Sequence, residues 1–122
     1  MGINIVCMCG NITRDIELRY TPAGSAVAEL SVALNRKYKD NAGEIKEEVS
    51  FIGVVVFGKL AELCKDNLHK GNQVFVSGRL KQDTWVDEGG KNRSKTKVIA
   101  EQVIFGNRPV KKDENTAIES EE

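Results

Sequence analysis

Residues 50–58 read "SFIGVVVFG", and this stretch decides the fold because both faces of the strand that it predicts are apolar. Side chains alternate along a strand, so even-numbered and odd-numbered positions form opposite faces. The two sets are Ile52, Val54 and Val56, and Phe51, Gly53, Val55 and Phe57. A strand of a small barrel needs only one apolar face for the core. One set should therefore fill the core, and the other must contact something else.

Strand patterns also dominate the rest of the first 105 residues. The predicted strands are 3–9, 26–34, 50–58, 73–80 and 95–105. The Pro and Gly of "ELRYTPAGSA" predict a turn between the first two strands. "NAG" and "DEGG" each predict the tip of a hairpin, since Asn, Asp and Gly favour tight turns.

One segment has a helical period. In "KLAELCKDNLHKG" (59–71) the apolar side chains follow one face of a helix, and Gly71 stands where a left-handed residue would end it. We therefore predict a helix over 59–70. Three strands, a helix and two strands predict an all-β chain, a five-stranded Greek-key OB-fold barrel with one α-helix between strands three and four. A small β-sandwich gives a similar pattern.

Composition indicates an ordinary soluble domain. The chain has 122 residues, 40% of them hydrophobic and 30% charged, and a mean hydropathy of -0.35. No apolar run, at 54–57 or elsewhere, is long enough to cross a membrane, and the amino terminus lacks the pattern of a signal peptide. We expect a cytoplasmic protein without a membrane partner.

The net charge of zero conceals a division along the chain. Residues 1–112 carry a net charge of +5, and residues 113–122, "DENTAIESEE", carry -5. This last segment has one large apolar residue, which cannot offset the entropy lost on ordering, so we predict a short disordered acidic tail. The predicted organisation is an OB-fold domain over 1–108 and the tail over 109–122, with "GNRPVKK" at the boundary.

Nothing in the sequence indicates catalysis, a cofactor or a metal. The three cysteines, Cys7, Cys9 and Cys64, are an odd number, so we expect reduced thiols buried as small hydrophobic side chains. His69, the single histidine, lacks the spacing of a metal ligand. Motifs of hydrolases, nucleotide-binding loops and metalloproteases are absent from the sequence. We expect a protein that is not an enzyme.

Several of the seven aromatic residues lie among basic residues rather than in core patterns. Tyr38 stands in "NRKYKD", and Trp85 stands in "KQDTWVDEGG" beside a predicted hairpin tip. A flat ring with cations nearby suits a nucleobase stacked on the ring and a phosphate held by the charge. The alternative is that the two rings pack across the arms of their hairpins.

Three segments carry a family resemblance. "GNITRDIELRYTPAGSAVAELSVALNRKYKD" (10–40), "FGKLAELCKDNLHKG" (57–71) and "VSGRLKQDTWVDEGGKNR" (76–93) resemble the bacterial single-stranded DNA-binding protein family. The likeness covers nearly all of residues 2–105, in order and with matching spacing. It implies OB-fold subunits, assembled as homotetramers, that bind and protect single-stranded DNA in replication, recombination and repair without catalysis.

The resemblance also implies which residues contact DNA. The positions that stack on bases are Tyr38, Phe51, Phe57 and Trp85. We therefore predict that the even-numbered set of the strand at 50–58 fills the barrel and that Phe51 and Phe57 face outward. The positions that contact phosphates are Lys39, Lys59 and Lys70. Proximity along the sequence adds four more candidates for phosphate contacts, Arg36, Lys37, Arg79 and Lys81.

The chain departs from the family pattern in three ways. It has Asp83 and Thr84 where relatives often carry bases, and Gly53 where some carry arginine. Fewer cations predict a shallower dependence of DNA affinity on salt. The final "ESEE" also lacks the Pro-Phe tip that replication and repair proteins bind in relatives, so recruitment of such partners through a tip is not implied.

Two other functions use the same features. An RNA-binding OB module would use the same rings and charges but would distinguish the ribose 2′-hydroxyl. A replication scaffold protein would act mainly through protein contacts, with the doubly apolar strand at 50–58 as its binding surface.

Overall fold

The structure is a computed structural model and describes residues 2–106. The predicted tail at 109–122 and the domain boundary at residue 108 lie outside the described residues. The elements are β1 (Val6–Ile12), β2 (Glu17–Tyr20), β3 (Ala26–Lys39), β4 (Ile45–Phe57), α1 (Lys59–Asn67), β5 (Gln73–Val86) and β6 (Asn92–Phe105).

Five of the strands close into a barrel. The strand order is β1-β5-β6-β4-β3, and a pairing of β1 with β3 completes the circle. The β4–β6 pairing is parallel and the others are antiparallel. Helix α1 lies between the third and fourth strands of the barrel in sequence. The predicted OB-fold barrel is confirmed, and the sandwich alternative is wrong.

The short strand β2 was not predicted. Strand β1 pairs with β3 at Asn11↔Ala33 and Ile12↔Val32, and β2 then continues along the same edge of β3 from Glu17 to Tyr20. The two strands therefore act as one interrupted strand of the barrel. The Pro and Gly turn that we predicted over the whole connection is confined to residues 21–25.

Helix α1 ends three residues before the predicted end. Leu68 is already extended, with φ -109°, and its buried side chain belongs to the barrel core. The backbone N–H of His69 donates to Oδ1 of Asn72, and the N–H of Asn72 donates to the carbonyl of His69. Gly71, with φ +93°, lies in this tight turn rather than at the end of the helix.

Strand β4 has the two faces that the sequence predicted. Val54 and Val56 are 1% and 0% exposed in the barrel core, and Ile52 packs against them. On the opposite face Phe51 and Phe57 are exposed. A second, smaller apolar cluster lies outside the barrel, where neighbouring strands β3, β4 and β6 contribute Val27, Val55 and Ile99.

Two glycines allow neighbouring strands to approach closely. A Cβ at Gly78 would collide with the backbone of Ile99, at the bulge in the β5–β6 pairing, and a Cβ at Gly10 would collide with the carbonyl of Ala33. Any side chain at either position would push two strands apart.

The prediction that all three cysteines are buried is wrong for two of them. Cys64 is fully buried in the core, on the apolar face of α1. Cys7 and Cys9 are exposed, because the alternation of β1 turns Val6, Met8 and Ile12 toward the barrel interior and leaves the intervening side chains outside.

Candidate nucleic-acid interface

Three large rings lie on the outer surface of the barrel. Phe51 is 68% exposed and Phe57 is 51% exposed on β4, and Trp85 is 47% exposed near the end of β5. The two phenylalanines are six residues apart on one face of the strand, which separates them by about 20 Å. We call the outer surface formed by Phe51, Gly53, Val55, Phe57 and Trp85 the aromatic face.

The middle of the aromatic face, which we call its floor, is apolar and carries no large side chain. Val55 lies between the two phenylalanines and pairs with Ile99 of β6, which brings β6 beside β4. Trp85 reaches this floor, because a depression of about 120 Å³ has Trp85, Gly53 and Val55 among its lining residues. The fold therefore joins side chains from β4 and β5 into one surface.

Tyr38 lies elsewhere. It pairs with Lys46 across the β3–β4 hairpin. Tyr38 is one of the even-numbered positions of β3, which line the barrel interior earlier in the strand, so it lies on the opposite face of the hairpin from Phe51. Its side chain is 38% exposed. The guanidinium of Arg36 stacks 5.2 Å from the centre of the ring, which leaves one ring face for another partner.

The lysines predicted to contact phosphates are exposed but scattered. Lys37 and Lys39 lie on the same face of the β3–β4 hairpin as Phe51. Lys59 begins α1, two residues after Phe57. Lys70 lies in the turn beyond the other end of α1. The next residue, Gly71, donates its N–H to the carbonyl of Ile12, and this hydrogen bond attaches the turn to β1.

The other three predicted contacts are already in ion pairs. Arg36 binds Glu48 at 3.0 Å, Arg79 binds Glu101 at 3.6 Å, and Lys81 binds Asp83 at 3.1 Å. These side chains are about half exposed, so the pairs are weak and a phosphate can replace the carboxylate.

Sequence reasoning missed the cations of β6. Arg93 lies opposite Trp85, Lys95 lies opposite Asp83, and Lys97 lies opposite Lys81, all on the outer face of the β5–β6 hairpin. The alternation of "NRSKTK" at 92–97 carries this signal, because every second residue from Arg93 is basic.

Two carboxylates are embedded among these cations. Lys97 at 2.6 Å and Lys81 at 3.1 Å hold the pKa of Asp83 below its usual value through hydrogen bonds to the ionised carboxylate. A hydrogen bond from Arg93, at 2.8 Å, and backbone N–H donors lower the pKa of Asp87. Both carboxylates are therefore charged at neutral pH and compensate part of the positive charge beside Trp85.

Comparison with known proteins assigns the chain to a family. The model of the single-strand binding protein family matches residues 3–106. The chain belongs to this family. The match spans the whole barrel, including the aromatic face and both long hairpins.

Relatives in the single-strand binding protein family include the single-stranded DNA-binding proteins of Wolinella succinogenes and Helicobacter pylori. The first is 44% identical over 100 residues, or 82% of this chain and 62% of that protein. The second is 40% identical over 102 residues, or 84% of this chain and 57% of that protein. The chain thus spans less than two thirds of the length of these relatives.

Two solved structures share the fold. A complex of the Plasmodium falciparum SSB with ssDNA superposes with a TM-score of 0.81 at 24% identity, covering 88% of this chain and 97% of that one. A deletion mutant of the Thermus aquaticus single-stranded DNA binding protein superposes with a TM-score of 0.79 at 34% identity, covering 87% of this chain and 51% of that one. The first likeness bears on the fold alone.

Within residues 2–106 no helix is long and apolar enough to cross a membrane. The same residues contain no group of three or more His, Cys, Asp or Glu side chains arranged to hold a metal ion.

Proposed function

We propose that this chain binds and protects single-stranded DNA without regard to sequence and without catalysis or a cofactor. The observation that carries the proposal is the aromatic face, where Phe51, Phe57 and Trp85 are exposed on one surface flanked by cations. Large apolar side chains exposed together indicate a partner. The relatives named as single-stranded DNA-binding proteins support the choice of partner.

Bases stack on the exposed rings. A base–aromatic stack contributes about 1–3 kcal/mol and tolerates any base, because every base has a π-face. The apolar floor at Val55 lets the DNA strand pass between Phe57 and Phe51. Trp85 receives a base on the adjoining hairpin. Tyr38 offers its free ring face to a base that has left the aromatic face around the β3–β4 hairpin.

Phosphates bind to lysines and arginines that surround the rings. Lys37, Lys39 and Lys59 contact the backbone beside the two phenylalanines, and Lys70 extends the contacts past α1. Arg36, Arg79 and Lys81 exchange their carboxylate partners for phosphates. Each phosphate neutralised on a single strand contributes about -0.7 to the slope of log affinity against log salt.

In the cell, this activity belongs to DNA replication, recombination and repair. We infer a cytoplasmic, nucleoid-associated protein that assembles as a homotetramer, as the family resemblance implies. Replication and repair proteins are its candidate partners. Mass measurement in solution, with and without oligo(dT), tests the assembly and the DNA stoichiometry together; a monomer under both conditions contradicts the tetramer.

The binding proposal is tested by the fluorescence of Trp85, the single tryptophan. Titration with oligo(dT) should quench it, with an affinity that falls as salt is raised. No quenching and no binding at low salt would refute the proposal. Competition between matched DNA and RNA oligomers separates it from an RNA-binding module, which would prefer the 2′-hydroxyl.

A further inference from the structure

The aromatic face has a gap at its centre. Gly53 occupies the position between Phe51 and Val55 on the outer face of β4, and together with Trp85 it lines the depression of about 120 Å³. We call this depression the Gly53 slot.

The fold does not require a glycine at this position. A Cβ on Gly53 would meet no atom within 4 Å, in contrast to Gly10 and Gly78, where it would collide with a neighbouring strand. Gly53 is also absent from the glycines with positive φ in the described part of the chain. Glycine weakens a strand interior and often marks a point where a ligand approaches the backbone.

The walls of the Gly53 slot suit a nucleotide. Trp85 and Val55 line it with apolar surface. Arg14 and Lys95 also line it, and within residues 2–106 neither of them forms an ion pair, so both can bind a phosphate. Two carboxylates, Glu29 and Asp83, line it as well, and each is held in an ion pair with a basic side chain.

The size of the slot fits one six-membered ring. An enclosed cavity of roughly 150 Å³ holds a benzene molecule, and the slot, at about 120 Å³, has a similar volume. We propose that the Gly53 slot is a subsite for one pyrimidine base of the bound strand, with the base against Trp85 and its phosphate bound by Lys95 and Arg14. This inference rests on the proposed function.

The decisive variant is Gly53→Val, which fills the slot with a side chain favoured in strands. Affinity for (dT)8, a length that one OB barrel can hold, should fall about tenfold at fixed salt. Affinity for an octamer of abasic deoxyribose phosphates should be unchanged, because this probe has the phosphates and lacks the bases. The melting temperature should stay the same or rise.

The matched control is Ser31→Val. Ser31 pairs with Gly53 across the β3–β4 ladder and shares the outer face, but it does not line the slot. It should bind (dT)8 like the unchanged protein. If Gly53→Val destabilises the fold, Gly53→Ala provides a smaller change, with an expected loss of two- to threefold.

The outcomes separate this inference from the function on which it rests. Unchanged (dT)8 binding by Gly53→Val, together with weakened binding by Trp85→Ala, overturns the slot and leaves DNA binding intact. Equal losses for (dT)8 and the abasic octamer also overturn it, because the effect would not concern a base. Equal losses for (dT)8 and (dA)8 overturn the assignment to a pyrimidine. Failure of the unchanged protein to bind any oligomer refutes the proposed function itself.

Discussion

The inside and the outside of the barrel have different tasks, and strand β4 takes part in both. Val54 and Val56 are buried inside, where removing apolar surface from water stabilises the fold. Phe51 and Phe57 remain largely exposed outside, where they contribute little to folding. Substitutions inside should therefore reduce the free energy of unfolding and preserve binding by the folded protein. Substitutions outside should weaken binding and leave the free energy of unfolding nearly unchanged.

The largest expected effect is the loss of stability from a substitution inside the barrel. Leu30 lies opposite Val54 in the β3–β4 ladder and is 2% exposed. Leu30→Ala should lower the free energy of unfolding by about 3–4 kcal/mol, since it removes buried methyl groups and leaves a cavity. Urea denaturation at one protein concentration measures the change. Ser31→Ala, the adjacent position facing outward, should be nearly neutral; similar losses for both variants would contradict the separation of the faces.

A thiol provides a second test of the interior. Burial raises the pKa of Cys64 to about 11, because the thiolate loses its hydration. The unfolded thiol ionises near its usual value of about 8.5. The contribution of the neutral Cys64 thiol to the free energy of unfolding is thus fully present below about pH 8.5 and is lost as the pH rises toward 11. At about 1.4 kcal/mol per pKa unit, the loss should reach about 2–3 kcal/mol.

Denaturation between pH 8 and 11 measures the loss, and Cys64→Ala is the control. The variant loses stability at every pH because of its smaller side chain, but its stability should fall less steeply over this range. Cys7→Ser and Cys9→Ser, at exposed positions of β1, keep Cys64 in place, so the steep fall in stability should persist in both variants. A pH dependence that persists unchanged in Cys64→Ala would assign it to other groups.

On the outside, the sharpest expectation concerns Trp85. Trp85→Ala should weaken binding of oligo(dT) by about 2 kcal/mol, within the usual range for a lost stacking platform. Because half of the side chain is exposed, the melting temperature should change little. Fluorescence anisotropy of a labelled oligomer measures the affinity. A large loss of stability with intact affinity would instead make Trp85 a core residue.

The alternation of hydrophobic residues predicted the barrel because it is a local signal. It separated Val54 and Val56 from Phe51 and Phe57, and the family resemblance implied that the two phenylalanines lie outside; the structure agrees. The same rule, applied to "NRSKTK", would have found the cations of β6 that our reasoning passed over.

Other features depend on which strands become neighbours, and no local pattern contains that information. Val55 is buried outside the barrel only because Val27 and Ile99 arrive beside it from β3 and β6. Strand β2 forms because residues 17–20 pair with the part of the β3 edge that β1 does not cover. The Gly53 slot likewise needs Trp85 from another hairpin, so Gly53 alone gives no sign of it.

The smallest expected effect concerns Asp83, a carboxylate within the cationic part of the outer surface. Its ionised form is stabilised by Lys97 and Lys81, so it should keep its charge across the pH range of a binding experiment. Lys81 already exchanges Asp83 for a phosphate, so Asp83→Asn should newly free Lys97. The slope of log affinity against log salt should then steepen by up to about 0.7, the contribution of one phosphate neutralised. Glu88→Gln removes the same charge at the nearby hairpin tip, where within residues 2–106 it forms no ion pair, and should steepen the slope less. Equal slopes for the two variants would mean that net charge alone matters and that Asp83 does not withhold Lys97 from DNA.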